Sequence, residues 1–246
     1  MPGAPKVVVV MPAYNAAKTL SQTVGLIPRD LVDHLVLVDD GSRDATVQVA
    51  RDLGLDVVQH HHNAGYGANQ KTCYTTALQL GADIVVMLHP DGQYDPKLIP
   101  QLLQPILDGR ADIVLGSRMM ITGGARAGWM PHWKVVVNRV LTGIENAAMG
   151  TRLSEAHTGY RAYSRGFLES VPWRRNNDGF VFDSQIIFQA AAFGQRLVEV
   201  PISTRYESDS SNISLSDAVV YGTRTLAVAA QYALWRRGGR NRLFLS

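Results

Sequence analysis

Apolar residues in this chain come in short unbroken runs, separated by stretches with helical spacing. Val7–Met11 is a continuous, mostly β-branched run, which predicts a strand buried on both faces and stopped by Pro12. Leu35–Val38, Asp56–Val58, Ile84–Leu88 and Ile113–Leu115 are further strand candidates. Between them, Ala16–Leu26 has helical spacing. Further helices are predicted from Asp44, as cap, to about Leu53, from Gly65 to near Gly81, and from Pro96 to about Asp108. This alternation predicts βαβ units and an α/β fold, with a mostly parallel central sheet flanked by helices. Its parallel strands point one way. Pro12–Asn15, Asp39–Ser42, His89–Asp95 and Gly116–Arg118 therefore gather at one edge, where open α/β sheets bind ligands.

Beyond Arg118 the pattern loosens. Ile121–Met130 is glycine-rich and reads as a mobile loop, and Trp133–Ala148 as a helix. His157–Tyr163 reads as strand-like or irregular, Gly179–Phe193 as a largely buried helical element, Leu197–Arg205 as strand, and Glu207–Ser214 as a loop. No clean boundary divides the chain. Residues 1–214 are expected to form one catalytic domain, and 215–246 a C-terminal amphipathic helix with a basic tail.

A chain of 246 residues can bury one full α/β core. The net charge of +3 is small, and no Lys/Arg stripe interleaves with aromatics, so nucleic acid is not an expected partner. A single cysteine, Cys73, excludes an internal disulfide and suits a reducing compartment. The N-terminal segment before Val7 is too short for a signal peptide. The longest apolar-leaning stretch, Ala218–Trp235, is interrupted by Arg224 and Gln231, so no transmembrane helix is expected. The run Arg236–Arg242 that follows is either a solvated chain end or a basic patch that docks on an anionic membrane surface. Localisation is expected to be cytoplasmic, either free or peripheral at the membrane face.

The chemistry concentrates after the strand Ile84–Leu88. His-Pro-Asp-Gly-Gln-Tyr-Asp at 89–95 brings an imidazole, a carboxylate and an amide out together at the strand's carboxyl end. Such groups can hold a divalent cation, and a divalent cation can hold a diphosphate. Asp95, before Pro96, reads as a helix cap. His60-His61-His62 alternate in direction on an extended chain and suggest no metal site.

Met11-Pro12-Ala13-Tyr14-Asn15, the run Val38–Thr46 (VDDGSRDAT), the acidic loop at Asp91 and Gly116-Ser117-Arg118 follow one another in an order and spacing that resemble the family 2 inverting glycosyltransferases of the A-type, nucleotide-sugar-binding fold. Thr158-Gly159-Tyr160-Arg161, Phe182-Asp183 and Val200-Pro201-Ile202 extend the match to nearly the whole chain. Together they resemble the branch that includes dolichyl-phosphate mannose and glucose synthases. The resemblance implies transfer of a hexose from a nucleotide-diphosphate sugar, of the GDP-mannose or UDP-glucose type, to a polyprenyl phosphate.

It also implies roles. Pro12, Ala13, Tyr14 and Asn15 would wrap the base and ribose, and Asp40 would accept from a base N–H or a ribose hydroxyl. Asp91 would bind Mn²⁺ or Mg²⁺ with the diphosphate, and Gln93 would complete the shell. His89 stands where the family usually has an aspartate, and either joins the metal or only contacts the ribose. Lys71 could neutralise diphosphate, or be a solvated helix lysine. Arg118 would meet an acceptor phosphate, Arg205 the departing diphosphate, and Arg161 the acceptor or the sugar; each is alternatively an ion-pair partner. Asp183 would be the general base for a hydroxyl acceptor, or else a cap or ion-pair residue. Two other readings stay open: transfer to a hydroxyl of a small molecule or glycan, and a nucleotide-sugar-binding protein that has lost catalysis.

Overall fold

The computed structural model of the chain describes residues 4–121, 130–204 and 215–245. Arg205, residues 122–129 of the glycine-rich loop and the serine-rich stretch 207–214 lie outside them. The elements run β1 (Val7–Ala13), α1 (Ala17–Gly25), β2 (His34–Asp39), α2 (Thr46–Asp52), β3 (Asp56–Gln59), α3 (Tyr66–Gln79), β4 (Ile84–Met87), α4 (Ile99–Leu107), β5 (Ile113–Ser117), α5 (His132–Met149), β6 (Arg161–Ser164), α6 (Arg165–Ser170), α7 (Phe182–Ala192), β7 (Leu197–Pro201) and α8 (Leu215–Arg236). The strands form one seven-stranded sheet in the order β3-β2-β1-β4-β6-β5-β7. β6 is antiparallel to both neighbours, and the other pairings are parallel.

The unbroken apolar runs follow from burial on both faces. Val8 and Val10 enter one core cluster, while Val7, Val9 and Met11 enter the other; Val36 and Val38 separate from Leu35 and Leu37 in the same way. Successive side chains of a strand point to opposite faces, so both parities must be apolar. Leu20, Ala50 and Leu102 bring α1, α2 and α4 onto one face. Tyr74, Phe167, Phe188 and Tyr232 bring α3, α6, α7 and α8 onto the other.

Pro12 does not stop β1. The strand continues through Ala13, with Pro12 in register with Val38 of β2. Val7 and Ala13 accept hydrogen bonds from the β2 side, whereas Val10 accepts from Leu88 on the β4 side. By alternation Pro12 faces the β4 side, where pairing with β1 ends at Val10–Met87. Its missing N–H therefore costs no ladder bond. In the His157–Tyr163 segment only Arg161 onward is strand, and β7 ends at Pro201 rather than Arg205, with Thr204 forming an isolated bridge to Tyr94. Asp44 lies one residue before the α2 N-cap and accepts the Thr46 N–H at 3.0 Å.

α8 packs against α5 and α7. No helix among the described residues is long and apolar enough to cross a membrane.

Candidate active site

The carboxyl ends of β1, β2, β4 and β5 open onto a cavity of about 730 Å³. Pro12, Ala13, Tyr14 and Asp40 line one side, and His89, Asp91 and Gln93 the β4 lip. Arg118, Lys134 and Asn138 line another wall, with Asp183, His157 and Tyr221 from the later part of the chain.

On the β1–β2 side, Asp40 is buried. Its carboxylate accepts from His60 Nδ1 at 2.8 Å and from the backbone N–H groups of Ala64 (2.9 Å) and Gly65 (3.0 Å). It thereby fixes the turn that starts α3, where Gly65 adopts a φ of 102° that strains any side-chain-bearing residue. Asn15 stands off the cavity wall in a left-handed conformation with φ 53°. Its N–H donates to Ser42 Oγ and its Oδ1 accepts the Arg43 N–H, both at 2.8 Å, so it staples the β1 end to the β2 turn. Tyr14, by contrast, is half exposed on the rim.

At the β4 lip, Asp91 accepts the Gln93 N–H at 3.1 Å. His89 stacks on Tyr66, with ring centroids 5.6 Å apart, and its Nε2 lies 3.2 Å from Tyr66 Oη. The ring also rests on Gly159; a Cβ there would lie 2.5 Å from Nε2. Burial draws the His89 pKa below its ordinary value, outweighing the pull of Asp91 and Asp183, and so favours a neutral imidazole. No group of three His, Cys, Asp or Glu side chains among the described residues could hold a metal alone. The oxygen donors of Asp91 and Gln93 still suit Mg²⁺ or Mn²⁺ of the kind that takes one or two protein oxygens and completes its shell with phosphates and water. His89, with Nε2 against Tyr66 and Gly159, reads as part of the wall.

Asp183 opens α7. Its carboxylate accepts from Tyr66 Oη (3.0 Å) and Gln70 Nε2 (2.9 Å) and pairs with Arg161 Nη1 at 3.3 Å. Arg161 does not reach the cavity. It is 1% exposed, and its guanidinium also donates to the carbonyls of Thr158, Ala156 and Asp183. Burial opposes its charge most, but the Asp183 carboxylate together with Tyr163, Tyr66 and Tyr74 raises its pKa on balance. Lys71 likewise turns away, to the Asn176 carbonyl and to Asp178 Oδ1 at 2.7 Å. Arg118 does line the cavity while holding Glu155, through Nε and its backbone N–H at 2.8 Å each and through Nη2. Lys134 follows on α5, its pKa lowered by burial and by the nearby Arg118 charge.

Sequence reasoning overlooked Tyr66, Gln70, Lys134, Glu145, Glu155, His157 and Tyr221. Glu145 carried a legible signal: with Leu141 and Met149 it repeats at intervals of four, so an acid occupies the core face of α5. The partners of the others come from distant segments and have no such periodic mark.

Comparison with known proteins bears on the fold and the family. Undecaprenyl-phosphate mannosyltransferase of Micrococcus luteus is 29% identical, over 89% of this chain and 93% of that protein. Polyprenol monophosphomannose synthase of Mycolicibacterium smegmatis is 29% identical, over 86% and 82%. The structure of glucosyl-3-phosphoglycerate synthase from Mycobacterium tuberculosis in complex with Mn²⁺ and UDP-glucose superposes with a TM-score of 0.72 at 22% identity, covering 97% of this chain and 81% of that one. The fold is the A-type glycosyltransferase fold. The family model for glycosyl transferase family 2 matches residues 8–171, spanning β1 through α6, and the chain therefore belongs to that family of glycosyltransferases.

Proposed function

We propose that this enzyme transfers a hexose, with inversion, from a nucleotide-diphosphate sugar of the GDP-mannose or UDP-glucose type to the phosphate of a polyprenyl phosphate. The observation that carries this reading is a single cavity with two kinds of wall: an acidic lip at Asp91 with the Gln93 amide, and a cationic side at Arg118 and Lys134. Asp91 and Gln93 would hold a divalent cation, which when bound neutralises charge growing on the departing diphosphate. Pro12, Ala13, Tyr14 and the Asp40-braced turn would shape the nucleoside pocket. Arg118 and Lys134 suit the acceptor phosphate, which attacks the anomeric carbon opposite the leaving group through an oxocarbenium-like state.

The state of Asp183 supports a phosphate acceptor. Its carboxylate is already held by Tyr66, Gln70 and Arg161, which opposes its use as a free base. A phosphate anion needs no base. The outer face of α5 supports a lipid acceptor: Val136, Val140 and Ile144 are exposed there, on the helix whose Trp133 and Lys134 line the cavity. The names of the Micrococcus and Mycolicibacterium relatives point the same way.

The test incubates a radiolabelled nucleotide sugar with a short polyprenyl phosphate, beside a thermal-shift panel of nucleotide sugars with and without Mn²⁺. Asp91→Ala should abolish transfer and the Mn²⁺-dependent part of the shift, while the ligand-free melting temperature stays near wild type. Full activity in that variant overturns the reading.

A further inference from the structure

Three side chains from three separate segments form a connected chain that the mechanism above does not use. Glu145, on α5, has no exposed surface, and no described donor hydrogen-bonds either carboxylate oxygen. His157 Nε2 stands 3.2 Å from Glu145 Oε2, close but misaligned for a hydrogen bond. On its other side, His157 Nδ1 lies 2.6 Å from Tyr221 Oη of α8. Tyr221 Oη in turn lies 3.2 Å from Ser184 Oγ, beside Asp183. His157 and Tyr221 both line the cavity, on the side that carries Arg118, Lys134 and Asn138. The His157 carbonyl accepts from Arg118 Nη2 at 3.3 Å, which ties the chain to that wall.

We propose that Tyr221, backed by His157 and Glu145, donates a hydrogen bond to the acceptor phosphate, so that acceptor recognition combines this polar chain with the cationic wall. The assignment rests on the phosphate-acceptor reading above. A buried carboxylate without a partner is strongly unfavourable, and His157 Nε2 is the described nitrogen that reaches Glu145. When Nδ1 carries a hydrogen, His157 donates it to Tyr221 Oη, and the Tyr221 hydroxyl hydrogen is left to point at a ligand. Glu145 stands behind the imidazole, on the side away from Tyr221. A ligand that rewards this arrangement is an anion accepting from a hydroxyl. Burial raises the Tyr221 pKa and keeps that hydroxyl a donor. In this scheme Tyr221 touches the substrate, whereas His157 and Glu145 are positioning residues.

Tyr221→Phe and Glu145→Gln are the variants to make, each close to isosteric. Steady-state kinetics should be run with a short polyprenyl phosphate varied at saturating nucleotide sugar, then the reverse, with melting temperatures as a check on folding. Loss of a hydrogen bond to a charged group predicts an acceptor KM about 10- to 100-fold higher in Tyr221→Phe, with a smaller effect on kcat and an unchanged donor KM. Glu145→Gln should shift the acceptor KM in the same direction by less. An unchanged acceptor KM in Tyr221→Phe, or a donor KM that rises equally, overturns the assignment; an unchanged acceptor KM in Glu145→Gln removes Glu145 from it. A wild-type enzyme that ignores polyprenyl phosphate removes the acceptor reading itself, and that result is seen before any variant is compared.

Discussion

Replacing Asp183 by Asn separates a structural from a catalytic use of this carboxylate. The substitution keeps the shape and removes the charge that faces Arg161, a guanidinium only 1% exposed. Breaking a buried ion pair by removing one partner costs about 3–5 kcal/mol. Arg161 keeps the carbonyls of Thr158, Ala156 and Asp183 as acceptors, so the lower end applies, about 3 kcal/mol. The new amide also presents hydrogens to Gln70 or Tyr66, which now donate to Asp183 at 2.9 and 3.0 Å, so no compensating bond is gained. For a chain of this size, that loss lowers the melting temperature by about 6–12 °C. Differential scanning calorimetry of the free enzyme measures it directly. A variant that melts within about 2 °C of wild type yet has lost transfer would refute the argument, and would return Asp183 to the role of base.

Acid should attack the Arg118–Glu155 pair. Burial would raise the Glu155 pKa, but the Arg118 charge, its hydrogen bonds and the Asn138 amide bring it below the ordinary 4.5. A lowered folded-state value means that this stabilisation is fully present above pH 4.5 and disappears as pH falls through the folded-state pKa. Urea unfolding of wild type and Glu155→Gln should therefore differ by a constant amount at neutral pH and converge in acid. Gly159→Ala should cost about 1–3 kcal/mol in thermal unfolding and lower activity, because its Cβ would meet His89 Nε2 at 2.5 Å and push the ring off Tyr66. Val140→Asp, at a 57% exposed position on the outer face of α5, should weaken sedimentation with anionic lipid vesicles by at least about tenfold while leaving the melting temperature unchanged.

The sequence by itself determined the sheet and where its ligand edge lies. Apolar runs such as Val7–Met11 can be buried on both faces only in a covered sheet, and one chain direction carries Pro12, Asp40, Asp91 and Arg118 to the same end. These are consequences of local pattern and strand polarity, which are written along the chain. Tertiary structure alone decided what each charge faces. Arg118 and Arg161 are both arginines in polar segments, yet one lines the cavity while the other is sealed against Asp183, because β6 enters the sheet antiparallel between β4 and β5. The junction of Glu145, His157 and Tyr221 is equally invisible from spacing. It exists because α8 returns across α5 and α7, and contacts between residues far apart in sequence depend on packing that no local period encodes.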